Sequence, residues 1–181
     1  MVRTSPLTVV TAVLVAATIA AATIAHAVDN PIMSAALPGE TASRLQIPNE
    51  GATDEERTAR LLAELVNVER TGRGLAPYQF DAAAAAAAAA HSTDQAARRK
   101  MSHTGSDGSN AGLRLTRHGV TWSSWGENVG AGFDDPAAVL RAWLDSPTHR
   151  PIVLNAGFTR IGLGVAVASN GTRYWTMDAL N

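Results

Sequence analysis

His91, His103, His118 and His149 are the side chains of this sequence best suited to hold a metal or to move a proton near neutral pH. Three short segments concentrate the other polar groups around them. These are Ser102-His103-Thr104-Gly105-Ser106-Asp107-Gly108-Ser109, Gly126-Glu127-Asn128-Val129, and Trp143-Leu144-Asp145-Ser146-Pro147-Thr148-His149-Arg150. Several chemistries are absent. The chain has no cysteine, which removes disulfides, thiolate metal sites, iron–sulfur clusters and cysteine nucleophiles. It carries no HExxH pair, no Walker-type phosphate loop and no GxSxG elbow. Ser146 and His149 invite a nucleophile–base reading. Their three-residue spacing beside Pro147 does not establish a hydrogen bond, and no oxyanion hole is evident. His91 sits in an alanine-rich helical stretch and reads as packed or locally hydrogen-bonded. His118, between Arg117 and Gly119, reads as part of a solvated turn.

The elements that must position these residues begin near Thr53. Thr53 and Glu56 have capping-box spacing, and Leu61, Leu62, Leu65 and Val66 form a helical stripe that Gly72 and Gly74 end. Asp81 caps a second helix through the run Ala82 to Ala90. Met101 to Gly132 reads as one long loop rich in Gly, Ser, Asn and Thr, with Trp122 and Trp125 embedded. Asp135-Pro136 starts another helix, with Pro136, Val139, Leu140 and Trp143 on its apolar side. Pro147 and Pro151 break the chain beyond that helix. Ile161 to Val167 and Arg173 to Met177 read as two strands joined at Asn170-Gly171. Gly162-Leu163-Gly164, a lone GxG within a strand, is set aside as a phosphate motif. The tryptophans read as core or site wall. The whole is an α+β layered domain.

The motif blocks, in order, resemble the bacterial branch of the CAP superfamily, which contains the SCP domain. They are His91-Ser92, Ser102-His103-x-Gly105-x-Asp107-Gly108-Ser109, Gly126-Glu127-Asn128, Trp143-x-x-Ser146-Pro147-x-His149-Arg150, Leu154-Asn155-x-x-Phe158, Ile161-Gly162-x-Gly164 and Tyr174-Trp175-Thr176. The resemblance runs from about Leu61 to Ala179. It implies a single-domain, three-layer α-β-α sandwich with a cleft lined by two histidines and two acidic residues. His103, Glu127 and His149 match three of those positions. The fourth falls on Ser146, with Asp145 beside it as a substitute. The eukaryotic motif of histidine, aromatic, threonine and glutamine is absent, since His149 is followed by Arg150-Pro151-Ile152. The cleft set is therefore His103, Glu127, His149, Asp145 and Ser146. Two neutral imidazoles and a carboxylate, here His103, His149 and Glu127, suit a divalent cation, zinc above all, with a position left open. Calcium or magnesium would want more oxygen ligands. The same groups would equally serve as a hydrogen-bonded network that holds loops together.

Arg3, the uncharged run Leu7 to Ile24 and the small-x-small triplet Ala25-His26-Ala27 read as a signal peptide over residues 1–27, cleaved before Val28. An uncleaved anchor is the alternative, because the run nearly spans a bilayer. Residues 28–52, with Pro31, Pro38 and Pro48, read as a flexible linker, and 53–181 as the CAP domain. A net charge of -1 gives no basic footprint for nucleic acid. Membrane contact is expected only through the signal segment. The resemblance implies a secreted or cell-envelope binding module for a small ligand, lipid or envelope protein, with no catalytic residue assigned. The alternative is a metal-dependent or His/Glu-assisted hydrolase acting outside the cytoplasm. A third reading is a structural envelope protein.

Overall fold

The computed structural model describes residues 51–181. The expected signal peptide and all but the last two residues of the expected linker lie outside them. None of the described helices is long and apolar enough to cross a membrane.

Helix α1 spans Asp54–Gly72 and opens with the expected reciprocal cap. The Glu56 N–H donates to Thr53 Oγ1 (3.2 Å), and the Thr53 N–H donates to the Glu56 carboxylate (2.9 Å). Of its apolar stripe, Leu62 and Val66 are fully buried while Leu61 stays exposed. A two-residue strand, β1 (Gln79–Phe80), precedes α2 (Ala82–Arg98). The Asp81 carboxylate caps α2 by accepting from the Ala83 and Ala84 N–H groups, both at 3.0 Å.

The stretch 101–132 is not the single loop its composition suggests. It holds α3 (Ala111–Arg117), capped by the Asn110 side chain, and strand β2 (Trp125–Ala131). Glycine, serine and asparagine lowered the sequence signal for both elements, and tertiary pairing overrode it. Helix α4 (Pro136–Asp145) starts at the expected Asp135 cap. Pro151 does not break the chain; it sits in the first turn of the short α5 (Arg150–Val153), where its missing N–H leaves no hydrogen bond unmade. Strands β3 (Arg160–Val167) and β4 (Arg173–Leu180) form the C-terminal hairpin. Its turn closes through Ala168 N–H to Thr172 O, and Gly171 takes φ +84°, which a non-glycine residue adopts only with strain.

The sheet order is β1-β3-β4-β2, with β1 parallel to β3 and the other pairs antiparallel. Strand side chains alternate between faces, and the two faces here are packed differently. One face carries Ile161, Leu163, Val165, Trp175 and Met177 into a core shared with α1 and α4. The other meets α2 at very short range. A Cβ on Gly162 would lie 2.2 Å from the Ala84 carbonyl carbon, and one on Gly164 would lie 2.2 Å from the Ala89 nitrogen. The Gly-Leu-Gly of β3 and the alanine run of α2 are thus one feature, a helix seated almost on the strand backbone. Helices cover both faces, which makes an α-β-α sandwich in one domain.

Trp143 anchors the apolar side. It is 2% exposed, and its Nε1–H donates to the Val129 carbonyl of β2 (3.1 Å). We expect Trp143→Ala to lose about 3–5 kcal/mol, the range for deleting a large core aromatic. Urea titration of both proteins checks this; an unmoved midpoint would remove Trp143 from the core.

Candidate functional site

Strand β2 is an edge strand, and its consecutive residues Glu127 and Asn128 hold two loops from opposite faces of the sheet. Their side chains diverge because a strand alternates. Asn128 turns toward α5, where its Nδ2–H donates to the His149 carbonyl (3.0 Å). Glu127 turns toward α2 and α3. Its side chain is 2% exposed, so a lone carboxylate there would be costly. Arg114 of α3, itself buried, donates through Nη2 to Glu127 Oε2. Arg114 also donates through Nη1 to the carbonyls of Ser109 (2.9 Å) and His103 (3.2 Å). One guanidinium therefore neutralises the carboxylate and shapes the loop that bears His103.

His103 Nδ1 lies 2.8 Å from Glu127 Oε1. A carboxylate only accepts, so in the neutral ring Nδ1 carries the proton and Nε2 keeps its lone pair. The His103 side chain is 60% exposed, in contrast to the carboxylate that holds it. His149 is fixed on the other side. Its Nδ1 lies 2.7 Å from Ser146 Oγ and 3.3 Å from Thr148 Oγ1. Partial burial, and then the nearby positive charge of protonated His103, lower the pKa of His149 below the ordinary imidazole value. The two rings are thus close enough to feel each other's charge. The segment beneath His149 is held by buried Arg70 and Tyr78 of the α1–β1 region. Arg70 Nη1 donates to the Val153 and Asn155 carbonyls (2.9 and 3.0 Å). The Tyr78 hydroxyl donates to the carbonyls of Ile152 (2.9 Å) and Asn155 (3.1 Å). Burial pushes that hydroxyl up to about 12.

His91 is buried, with Nε2–H donating to the Ser102 carbonyl (2.8 Å). Burial, then the Arg114 charge, lower its pKa and keep it neutral. It supports the His103 loop from below, as does Gln95, whose side-chain oxygen accepts from the Ser102 N–H (3.0 Å). His118 ends α3 and is exposed.

The structure brings His103 and Glu127 together and places His149 close by, but it does not make the three into one donor set. Both Glu127 oxygens are already engaged, one by His103 and one by Arg114. Among the described residues no three His, Asp or Glu groups are arranged to hold a metal. Glu127 thus holds His103 through one oxygen and Arg114 through the other. Asp145 is exposed and takes part in none of these bonds, while Ser146 occupies the position beside His149.

Two residues of the site had no place in the motif blocks. Arg114 lies in the stretch whose composition reads as loop, and nothing there singles it out. Asp178 stands directly across from Glu127 in the β2–β4 register, fully buried, with neither oxygen hydrogen-bonded. Burial, then the Glu127 charge, raise its pKa well above the carboxylate range, so the neutral acid is favoured. Its signal was available: extending the β4 alternation past Met177 puts an acid on a buried face.

We expect Arg114→Met to lose about 3–5 kcal/mol, since it strands a buried carboxylate. Chemical denaturation measures this, and a loss under about 1 kcal/mol, the ceiling for an exposed pair, would show that water reaches Glu127.

With this geometry in place, comparison with known proteins is direct. Residues 63–179 match the cysteine-rich secretory protein family, CAP. The crystal structure of an extracellular protein containing an SCP domain from Bacillus anthracis superposes with a TM-score of 0.63 at 31% identity, over 70% of this chain and 41% of that one. An outer surface protein of Borrelia burgdorferi superposes at 0.66 and 18% identity, over 71% and 96%, which speaks to the fold alone. The Bacillus subtilis protein YkwD is 29% identical over 138 residues, 76% of this chain and 52% of its own length. The chain spans about half or less of the curated relatives it matches. Although it holds no cysteine, the chain belongs to the cysteine-rich secretory protein family, the CAP family.

Proposed function

We propose that this protein is a binding module working outside the cytoplasm, and that His103 and His149 are its capture groups. The observation that carries the reading is the state of the two rings. Each is held through Nδ1, His103 by Glu127 and His149 by Ser146, and neither Nε2 has a hydrogen-bond partner among the described residues. A histidine whose far nitrogen is held by a carboxylate is an oriented, more basic donor, the usual arrangement behind a metal-bound imidazole. The donor chemistry fits zinc at His103 and His149, with the remaining positions left to water or ligand. Bound there, zinc would supply Lewis acidity toward an anionic oxygen or nitrogen on a small ligand, lipid or envelope protein. The chain's own groups do the rest. Glu127 and Arg114 set the ring of His103, and Asn128 sets the height of the His149 loop.

The signal-peptide pattern supports export. So does likeness to a protein described as extracellular.

The 2.7 Å contact between Ser146 Oγ and His149 Nδ1 favours a second reading, a hydrolase with Ser146 as nucleophile. The contact is local, however. Ser146 Oγ also lies 3.0 Å from Thr148 Oγ1, and no carboxylate orients His149. Such bonds stabilise turns after helices. A hydrolytic activity abolished by Ser146→Ala would establish the enzyme reading.

Zinc titrated into the metal-free protein should bind near neutral pH and weaken as pH falls through about 6.5, the ordinary imidazole value. His103→Ala and His149→Ala should each weaken binding about tenfold or more, and Glu127→Gln by about 10–100-fold through the lost orienter. Calorimetry reads all three; equal weak binding by every variant would reduce the site to a structural network. Mass spectrometry of the exported protein should show an N-terminus at Val28. A form still beginning at Met1 in the membrane fraction would instead establish an anchor.

A further inference from the structure

Buried atoms without a hydrogen-bond partner gather around one acid outside the capture pair. Among the described residues, both oxygens of Asp178 are such atoms, and so is the Nε of Arg114. Asp178 is fully buried on β4, and its side chain shares a sheet face with that of Glu127, its register partner on β2. Directly opposed side chains of an antiparallel pair stand about 5 Å apart at Cβ. On the other flank the register partner is Gly162 of β3, which offers no side chain. Along β4 the same face continues into Thr176, which Ser92 and Gln95 of α2 reach, and into Leu180, packed with Ala84, Ala87, Leu115 and Val120. The charged and titratable groups that face this spot are therefore few. They are Glu127 from β2, Arg114 from α3, His91 from α2 and, beyond Glu127, His103 from its loop.

Two buried acids thus stand before one guanidinium. His91 adds no charge, since burial favours its neutral ring. Arg114 gives Nη2 to Glu127 and Nη1 to the carbonyls of Ser109 and His103, and its Nε–H is idle. With Asp178 neutral, one anion meets one cation. With Asp178 ionised, a second carboxylate that has no bond of its own comes under the field of the same guanidinium. A buried charge of that kind must find a donor or lose its charge. The idle Nε–H is the donor at hand.

We propose that Asp178 is a proton-controlled latch on the loop that carries His103. While Asp178 holds its proton, Arg114 serves Glu127 and the loop carbonyls alone. When the proton leaves to solvent, the carboxylate draws the Nε–H of Arg114, and the guanidinium shifts from the seat where it grips Ser109 and His103. The loop therefore loosens as pH rises, whatever His103 captures. Burial, then the Glu127 charge, keep the proton on Asp178 above the usual carboxylate range, against the pull of Arg114. The unfolded acid ionises near about 3.9. A group raised in the fold stabilises it fully below the unfolded value, and that contribution is lost as pH climbs to the folded one.

Asp178→Asn, close in shape and never ionised, isolates the latch from every other titration. The test uses the full chain without metal, so the fate of zinc capture does not enter it. Urea midpoints of the two proteins should lie close together near about pH 4 and diverge as pH rises. The folding equilibrium of the wild type should weaken against the variant by up to about tenfold per pH unit until Asp178 ionises in the fold. Nuclear magnetic resonance reads the latch itself. The Arg114 Nε–H signal and the Gly105 and Ser109 amide signals should shift together through that ionisation in the wild type and stay fixed in Asp178→Asn. If the variant fails to fold, carboxyl carbon spectra of the aspartate-labelled wild type locate the ionisation, and the Arg114 signal still decides. Parallel urea profiles for the two proteins would overturn the proposal. So would an Asp178 that ionises while the Arg114 and loop signals do not move.

Discussion

A buried carboxylate organises the site. Glu127 is carried into the sheet–helix interface by the alternation of β2, and an ionised group there must be met by donors or neutralised. Arg114 meets one oxygen and His103 the other. Because Arg114 also donates to the carbonyls of Ser109 and His103, satisfying the charge and shaping the loop are one event. Asp178, across the strand, takes the opposite solution and favours its neutral form. Two acids in register thus meet different surroundings: Glu127 has hydrogen-bond partners and Asp178 has none.

The sheet separates two kinds of packing, and the site lies where they meet. On the α1 and α4 side the contacts are apolar, built on Trp143, Trp175 and Met177. On the α2 side, buried Ser92, Gln95 and Thr176 join in a polar layer. Ser92 Oγ donates to Gly164 O (3.1 Å) and lies 2.9 Å from Thr176 Oγ1, while Gln95 Nε2–H donates to Thr176 Oγ1 (3.1 Å). A satisfied polar layer is directional in a way that an apolar one is not, and it specifies one arrangement of α2 over the strands. At the β2 edge the layers converge, with His103 presented from the polar side and His149 from the apolar side.

The same close seating of α2 has a consequence at the opposite edge. Glycines at 162 and 164 let the helix approach the backbone of β3. The helix therefore covers the face of the strand and leaves its edge open beyond the short β1. One edge of the sheet bears the histidines, and the other, among the described residues, carries strand backbone that β1 does not pair.

Local rules, legible in residue order, set much of this. Caps at Thr53, Asp81 and Asp135 are side-chain to backbone bonds within a few residues, so their helices could be read directly. The hairpin at Asn170-Gly171 is local for the same reason. The family likewise emerges from ordered motif blocks. What residue order could not show is contact between distant segments. Strand β2 is made by pairing with β4 about fifty residues later, and its own glycines and asparagine argue for loop. The engagement of both Glu127 oxygens depends on Arg114, whose approach is set by the packing of α3 against β2. The open edge of β3 depends on where β1 stops. Each of these is a matter of which partner reaches a group first in three dimensions, and only the tertiary structure decides that.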